Sequence, residues 1–311
     1  MEQRHLGRSG LMVSRLGLGT MTWGGDTDPS EAAAQLGAFA GAGGTLIDTA
    51  DVYGDGESER VLGHLLRALI DRDQLVLATK SGVTPRGYDG SRRHLLSALD
   101  RSLARLGDDH VDLWQVNAYD PLTPFEETLA ALDEAVLSGR TRYVGVSNYT
   151  GWQLATATTW QRAWPGRSPI VSHQVEYSLL QRDAEREVVP AAQESGVGVL
   201  PWSPLGRGVL TGKYRTGIPA DSRGASDRLA EFVRPYLSGQ SARIVESVAT
   251  AADGLGVSML AVALAWVRDQ PGVAAPIVGA RTATQLRTVL HADELTLPDE
   301  IRDALDDVSY V

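Results

Sequence analysis

Short apolar runs alternate with longer segments of helical periodicity along almost the whole chain, and eight such pairs can be counted. This alternation is typical of parallel βαβ units, in which each strand is followed by a helix that packs on the sheet. The predicted strands cover residues 15–20, 45–48, 75–80, 111–116, 142–147, 170–175, 197–202 and 274–278. Between them, the apolar spacing predicts helices that include residues 92–106, 124–137 and 242–255.

Two further segments stand outside this alternation. Residues 5–13 alternate in polarity around the turn dipeptide Ser9-Gly10, which favours a small hairpin that would plug the N-terminal end of a barrel. After the seventh strand, a connection from residue 203 to about residue 235 is rich in Gly, Arg, Ser and Pro. Loops of this length inside a compact domain tend to act as functional lids.

The size and composition of the chain fit one α/β barrel. Its 311 residues, 43% hydrophobic and 22% charged, suffice for two medium domains or for one barrel, and the βα alternation favours the barrel. No linker or low-complexity tract interrupts the chain, so a single domain over residues 1–311 is the simplest prediction. In a TIM-type (β/α)8 barrel, the active site lies at the carboxyl ends of the strands.

The charge balance excludes some partners and leaves others open. A net charge of −10 argues against nucleic acid or an anionic membrane as the main partner. The absence of cysteine excludes disulfides, thiolate catalysis and Cys-based metal sites. The first residues lack the apolar stretch of a secretion signal, and no segment offers the ~18 apolar residues of a membrane span, so we expect a cytoplasmic protein. The oligomeric state stays open.

Three polar residues fall where predicted strands end, namely Asp48, Tyr53 and Lys80. A free tyrosine, with a pKa of about 10, is a poor acid at neutral pH unless a cation lowers that value. Lys80 is the candidate cation, and Asp48 is the acid that would keep it charged in a partly dry cleft. The trio predicts proton delivery to a carbonyl. Taken singly, each residue has an ordinary alternative as a surface tyrosine, a turn or cap aspartate, or a solvated lysine.

Five motifs follow one another in the order found in the aldo-keto reductases, which the chain resembles. They are DTADVYG at 48–54, ATK at 78–80, GVSN at 145–148, PWSPLGRG at 201–208 and IVGAR at 277–281. The resemblance implies a metal-free transfer of hydride from a reduced nicotinamide to an aldehyde or ketone. It also accounts for the lack of a G-x-G-x-x-G sequence, because the cofactor of this family lies extended across the barrel mouth.

The resemblance further implies which residues bind the cofactor. Ser147, Asn148 and Gln174 would hold the nicotinamide carboxamide, and Trp202 would face the ring. The pyrophosphate would be lined by Ser203, Leu205, Gly206, Gly208 and Lys213. Further contacts are expected at Gly19, Thr20, Met21 and Asp48.

The choice between NADPH and NADH depends on the start of the helix after strand eight, where Gly279, Arg281 and Gln285 lie. Arg281 can bind a 2′-phosphate, and a helix N-terminus favours the same anion, so we expect NADPH. Some relatives carry Lys-Ser where this chain has Gly279-Ala280, which leaves fewer charges for that contact. The alternative is that Arg281 is an exposed arginine at a helix start.

Strand four departs from the family pattern. Asn117 stands where the family usually has a catalytic histidine, and a carboxamide can donate a hydrogen bond but cannot exchange a proton at neutral pH. Relatives with Asn here, including potassium-channel β subunits, are associated with slow turnover and tight cofactor retention. One alternative is therefore an NADP-binding redox sensor or regulatory subunit. Another is a Schiff-base lyase acting through Lys80, against which the paired Asp48 argues.

The substrate is the least determined feature. Tyr53 and Asn117 would be joined in the pocket by Trp23, Tyr88 and Tyr119 and by the connection over residues 207–234, with Trp114 either in the wall or in the core. Such walls predict a fairly large, flat or cyclic ketone or aldehyde. In the long connection, Arg223 and Arg228 would contact an acidic substrate or remain solvated.

Overall fold

Eight parallel strands close into a barrel in the computed structural model, which describes residues 1–220, 222–226, 230–237 and 239–310. Each strand pairs with the next one along the chain, and the eighth pairs with the first. The strands are β1 (Gly17–Gly19), β2 (Leu46–Asp48), β3 (Val76–Ser81), β4 (Val111–Val116), β5 (Thr141–Ser147), β6 (Ile170–Glu176), β7 (Gly198–Trp202) and β8 (Ile277–Val278). The predicted (β/α)8 barrel is confirmed.

Helices surround the barrel, and the three whose bounds were predicted end where the sequence indicated. They are α1 (Pro29–Gly41), α2 (Glu57–Leu69), α3 (Arg92–Leu106), α4 (Phe125–Leu137), α5 (Gly151–Arg162), α6 (Val188–Glu194), α7 (Ala230–Val233), α8 (Gln240–Leu255), α9 (Met259–Arg268), α10 (Ala283–Ala292) and α11 (Asp299–Ser309). The α3 helix matches its prediction because Ser91 caps its first turn and Gly107, with φ 68°, ends it. The α4 helix begins one residue late, after Pro124, and α8 begins two residues early.

The N-terminal hairpin is also present and closes one end of the barrel. Residues Gln3–His5 pair antiparallel with Met12–Ser14. Leu6 and Val13 are fully buried, in one apolar cluster with Leu113 and Leu200 from the barrel strands. Burial of these side chains seals the end opposite the candidate site, so that site has one mouth.

The predicted first and last strands, residues 15–20 and 274–278, extend well beyond the observed ones. The first and last strands, β1 and β8, have three and two residues in the ladder. Ahead of β8, Ala274 still donates its N–H to the carbonyl oxygen of Val199 in β7. The long connection after β7 contains short 3-10 turns at Gly206–Thr211, Arg223–Ala225 and Arg234–Tyr236 besides α7. Arg228 lies outside the described residues.

No single helix among the described residues is long and apolar enough to cross a bilayer. The helices α8 and α9 meet the length and hydropathy requirement only as a pair, which is bent by 103°.

Candidate active site

A buried ion pair lies at the carboxyl ends of β2 and β3. Lys80 Nζ lies 2.7 Å from Asp48 Oδ2 and donates a second hydrogen bond of 2.8 Å to the carbonyl oxygen of Thr49. Only 2% of each charged side chain is exposed. Burial lowers the pKa of Lys80, but the Asp48 carboxylate and then Tyr53 raise it, and the pKa is raised overall. Lys80 is therefore a fixed cation and a poor Schiff-base nucleophile.

The phenol of Tyr53 faces this cation. Lys80 Nζ lies 5.2 Å from the centre of the Tyr53 ring. Burial raises the pKa of Tyr53, Lys80 lowers it, Asp48 raises it, and the result is a pKa above the ordinary value. The prediction that Lys80 lowers the pKa of Tyr53 below its ordinary value is therefore wrong, because burial outweighs the effect of the cation. Tyr53 holds its proton at neutral pH, which leaves it able to donate that proton to a strong base such as an alkoxide.

A second buried carboxylate supports the turn that carries Tyr53. Glu59 is fully buried, accepts a hydrogen bond of 2.6 Å from the Thr79 hydroxyl and accepts another of 2.6 Å from Arg105. A side chain at Gly56 would lie 2.6 Å from the Arg105 guanidinium, so the turn rests directly on that group. Burial, and then the charge of Glu59, raise the pKa of Asp51 to about 7. One oxygen of Asp51 is buried without a hydrogen-bond partner.

Hydrogen bonds between side chains connect the strand ends on the other side of the mouth. Gln174 Nε2 donates to Asp48 Oδ1 at 2.8 Å. Asn148 Nδ2 donates to the carbonyl oxygen of Asn117 at 3.0 Å, and Asn148 Oδ1 accepts from Trp202 Nε1 at 2.9 Å. The Asn148 side chain thus fixes Trp202 and the end of β4.

One cavity of about 540 Å³ opens along the mouth and brings together most of the predicted site residues. The predicted residues that line it are Gly19, Met21, Asp48, Tyr53, Lys80, Asn117, Ser147, Asn148, Gln174, Trp202, Ser203, Leu205, Gly208, Lys213, Gly279, Arg281 and Gln285. Two predicted cofactor residues, Thr20 and Gly206, are buried behind this wall. The Thr20 hydroxyl is 3.3 Å from the carbonyl oxygen of Asp48 and so supports the site from below.

Three of the aromatic residues predicted for the substrate pocket, Trp23, Tyr88 and Tyr119, do not line the cavity. Trp23 is fully buried, and its Nε1 donates to Gln35. Tyr88 is 54% exposed on a small hairpin after β3. Tyr119 packs against Phe125, Tyr149 and Trp152. Trp114 is fully buried, which agrees with the prediction that it belongs to the core and not with the alternative that it lines the pocket.

Three cations face one arm of the cavity. Burial lowers the pKa of Lys213, and the nearby charges of Arg223 and Arg281 lower it further. Burial and then Arg281 likewise lower the pKa of Arg223. Cations held this close repel one another, so an anion bound between them would remove that repulsion.

The backbone of the same arm is suited to approach by an anion. Residues with positive φ follow β7 in close succession, at Ser203 (52°), Gly206 (55°), Arg207 (58°) and Gly208 (95°). A side chain at Gly208 would lie 3.1 Å from Lys213 Nζ, so glycine leaves room for that cation. Backbone turned in this way can present N–H groups to anions such as a pyrophosphate. The N–H groups of Gly206 and Gly208 already donate to the carbonyl oxygens of Ser203 and Leu205, so Lys213 is the donor that this turn leaves room for.

The start of α10 differs from the expectation in one respect. The side chain of Glu31 accepts the backbone N–H of Ala283 at 2.6 Å, in the first turn of α10. Gln285 Oε1 accepts the N–H of Arg281, and the Thr282 hydroxyl accepts the N–H of Gln285. A carboxylate therefore already occupies part of the helix N-terminus that was expected to favour a 2′-phosphate, and Arg281 remains as the cation there.

Some wall residues were not predicted as site residues. Thr288 and Val289 lie one helical turn beyond Gln285, so helical spacing alone could have indicated them. Phe232 also lines the cavity and lies in the connection over residues 207–234 that was expected to wall the pocket, whereas the sequence around Leu260 carries no local signal of a site. Arg207 lay within a recognised motif, yet the motif gave no role to its side chain.

The whole barrel is similar in sequence to one known family of proteins. The sequence model of the Aldo/keto reductase family matches residues 15–309, and the chain belongs to that family. The family members are oxidoreductases that generally use a nicotinamide cofactor, and this chain is one of these oxidoreductases.

Three relatives show the range of proteins that this chain resembles. An oxidoreductase of Bacillus subtilis (strain 168), YrpG, is 38% identical over 99% of this chain and 96% of its own length. A probable voltage-gated potassium channel subunit beta of Oryza sativa subsp. japonica is 37% identical over 92% of this chain and 89% of its own. L-glyceraldehyde 3-phosphate reductase of Escherichia coli (strain K12) is 34% identical over 94% and 87%.

Proposed function

We propose that this chain, acting as a single domain, uses NADPH to reduce an aldehyde or ketone to an alcohol, with Tyr53 as the proton donor. The observation that carries the proposal is the buried Lys80–Asp48 pair beside Tyr53, in the same cavity as three cations. The ion pair suits proton chemistry at a carbonyl, and the cations suit a phosphorylated cofactor.

The residues of the cavity fit a nicotinamide dinucleotide. Lys213, Arg223 and Arg281 would hold its phosphates, because all three line the cavity and, after burial, the charges of the two arginines lower the pKa of Lys213. When bound, the nicotinamide supplies the hydride. Arg281 and Arg223 together favour NADPH over NADH, because an additional phosphate gains most where cations repel one another.

The amide side chains at the opposite end have different parts in this proposal. Gln174 donates through Nε2 to Asp48, so its Oε1 is left to accept from a carboxamide. Ser147 lines the cavity at the end of β5 and would bind the same group. Asn148 is engaged with Asn117 and Trp202 and acts mainly by holding the Trp202 ring in place.

Proton delivery follows from the states of the three central groups. Tyr53 holds its proton because burial raises its pKa, and it gives the proton to the oxygen of the substrate as the carbon accepts hydride. The Lys80 ammonium stabilises the phenolate that remains, and Asp48 keeps Lys80 charged throughout. Asn117 would donate a hydrogen bond to the carbonyl oxygen, an effect that can contribute a few kcal/mol in oxyanion sites.

The proposal is tested by titrating the purified protein with NADPH and NADH, and then by following NADPH oxidation with aldehydes, ketones and quinones. We expect NADPH to bind more tightly than NADH and at least one carbonyl class to be reduced. Equal binding of the two nucleotides would remove the NADPH preference. Failure to bind either nucleotide would contradict the proposal as a whole.

A second function is favoured by one specific residue. Asn117 cannot exchange a proton as histidine does, and a rice relative carries the name of a probable potassium channel subunit beta. The chain would then bind NADPH tightly, turn over slowly and act on a partner protein. Tight NADPH binding with no reduction of any carbonyl in the panel would favour this function.

A further inference from the structure

The turn that carries Tyr53 has a backbone conformation that side chains rarely adopt. Gly54, Asp55 and Gly56 follow one another with φ values of 58°, 55° and 86°. This left-handed conformation is less favourable for Asp55 than for the glycines, and such residues persist only where the surrounding structure holds them. Gly56 precedes α2 and has no side chain with which to cap that helix. The turn therefore depends on contacts from other segments.

The hydroxyl of Ser58, in the first turn of α2, makes several such contacts. Ser58 is fully buried, and its Oγ donates to the carbonyl oxygen of Thr20 at 2.9 Å. Because a hydroxyl has one proton, the same oxygen is left to accept from the hydroxyls of Thr20 and Thr49, at 2.7 and 3.1 Å. These threonines directly follow β1 and β2, so Ser58 joins the start of α2 to both strand ends.

Thr49 connects Ser58 with the cation of the site. Its carbonyl oxygen accepts from Lys80 Nζ at 2.8 Å, while its hydroxyl binds Ser58. Two residues before Tyr53, the N–H of Asp51 donates to the carbonyl oxygen of Lys80 at 3.0 Å. The segment over residues 49–58, with Tyr53 near its middle, is thus bound to Lys80 at its start and closed by the Thr49–Ser58 hydrogen bond at its end.

Glu59 attaches the same helix start to β3. One of its oxygens accepts at 2.6 Å from the hydroxyl of Thr79, the residue before Lys80, and the other accepts at 2.6 Å from Arg105. Like Ser58, Glu59 is fully buried. A buried hydrogen bond that loses one partner is not replaced by water, so these contacts are costly to remove.

We propose that Ser58 is a positioning residue for the reaction, which closes the segment over residues 49–58 and thereby fixes the phenol of Tyr53 beside the Lys80 ammonium. The inference rests on the proposed role of Tyr53 as the proton donor. Ser58 is not among the described residues that line the cavity, so it acts through Tyr53 and not on a ligand. Misplacement of a reacting group by about 1 Å can cost about a hundredfold in rate.

The test removes the two hydroxyls of the closing bond, singly and together. Ser58→Ala and Thr49→Val should each lower the single-turnover rate with an uncharged aldehyde such as 4-formylbenzamide by at least about tenfold, with the NADPH dissociation constant unchanged. Thr49→Val keeps the backbone carbonyl that binds Lys80, so its effect reports the hydroxyl. The double variant should be about as slow as Ser58→Ala, because the shared bond is already lost. Losses that multiply in the double variant would overturn the inference.

Two further variants separate positioning from a general loss of structure. Thr49→Ser keeps the hydroxyl and should retain the rate within about threefold. Thr158 and Ser195 form another buried pair of hydroxyls 3.1 Å apart, which joins α5 to the residue after α6. Thr158→Val is therefore the same chemical change away from the cavity, and it should leave the rate unaltered even where it lowers the Tm as much as Thr49→Val does. Equal slowing by Thr158→Val and Thr49→Val would contradict the positioning role.

A crystal structure of Ser58→Ala gives a readout that does not need turnover. Lys80 Nζ lies 5.2 Å from the centre of the Tyr53 ring, and this distance should lengthen by about 0.5 Å or more in Ser58→Ala. In Thr158→Val it should stay the same. If the unaltered protein reduces no carbonyl compound, the proposed function fails, while this distance still decides the inference. A Tyr53 ring that keeps its place in Ser58→Ala would overturn it.

Discussion

Asp48 Oδ2 lies 2.7 Å from Lys80 Nζ in a place where almost no water reaches either group. The pair draws one member from the end of β2 and the other from β3, neighbouring strands of the barrel. A second oxygen of Asp48 accepts from Gln174 on β6, so three strands converge on one carboxylate. The geometry of the proposed proton donor therefore depends on the closed barrel as a whole.

Asp48→Asn should destabilise the protein as well as reduce its activity. The substitution leaves the Lys80 charge buried without its carboxylate, and loss of one partner of a buried pair costs about 3–5 kcal/mol. Denaturant unfolding at neutral pH measures the change. Glu57→Gln, which breaks an exposed pair with Arg60, is the control and should cost less than about 1 kcal/mol.

Asn117→His should raise the rate of aldehyde reduction several-fold if the side chain faces the carbonyl. A protonated imidazole donates a stronger hydrogen bond to the developing oxyanion than a carboxamide does. The gain should be largest at acidic pH, where the imidazole carries its proton. Single-turnover rates from pH 5.5 to pH 8 check this, and a flat or lower profile would mean that another group meets the oxygen.

Asp51→Asn should stabilise the protein, and more at pH 8 than at pH 5. Burial, and then Glu59, raise the pKa of Asp51 to about 7, above the value of an unfolded carboxyl. The folded state therefore binds a proton on Asp51 more tightly than the unfolded state does. Its stability falls as the pH rises from the pKa of an unfolded carboxyl to about 7. Because partial exposure to solvent screens the charge, we expect Asp51→Asn to raise the free energy of unfolding at pH 8 by about 2 kcal/mol.

The control for Asp51→Asn lies in the same turn. Asp55 is exposed and has φ 55°, a conformation that asparagine tolerates well. Asp55→Asn should leave the difference in unfolding free energy between pH 5 and pH 8 unaltered. Equal effects of the two substitutions at both pH values would show that Asp51 carries no special penalty.

Glu31→Gln should tighten the binding of NADPH without a similar effect on NADH. The Glu31 side chain accepts the N–H of Ala283 beside Arg281, so its charge opposes a 2′-phosphate at the same helix terminus. We expect the dissociation constant for NADPH to fall about threefold, as befits a terminal charge of this kind. NADH lacks that phosphate and is the internal control. An equal change for both nucleotides would place the 2′-phosphate elsewhere.

The sequence predicted the parts of the site that are local to a strand end. Asp48 ends β2, Lys80 and Gln174 lie within the last three residues of β3 and β6, and parallel strands that close a barrel bring their carboxyl ends together. For the same reason the motif after β7 could be assigned to the cavity. The alternation of apolar runs and helices was enough to predict the order of the strands.

Other features depend on contacts between distant segments, which no local pattern encodes. Phe232 reaches the cavity because Arg207 and Glu176 hold its segment. Glu31 reaches α10 from a helix more than 250 residues earlier, and its hydrogen bond to Ala283 was unforeseen. Trp23 was expected in the pocket, yet it is fully buried in the core, where its Nε1 donates to Gln35. The raised pKa of Tyr53 results from burial that spacing cannot reveal.

The most direct test of the account is the single-turnover reduction of 4-formylbenzamide by NADPH, with the unaltered protein and with Tyr53→Phe, while nucleotide binding is measured in parallel. Tyr53 is the proposed donor because it keeps its proton beside the Lys80 cation. We expect the rate to fall at least about a hundredfold, in the range typical of a lost general acid, with the NADPH dissociation constant unchanged. An undiminished rate in Tyr53→Phe would contradict the central claim.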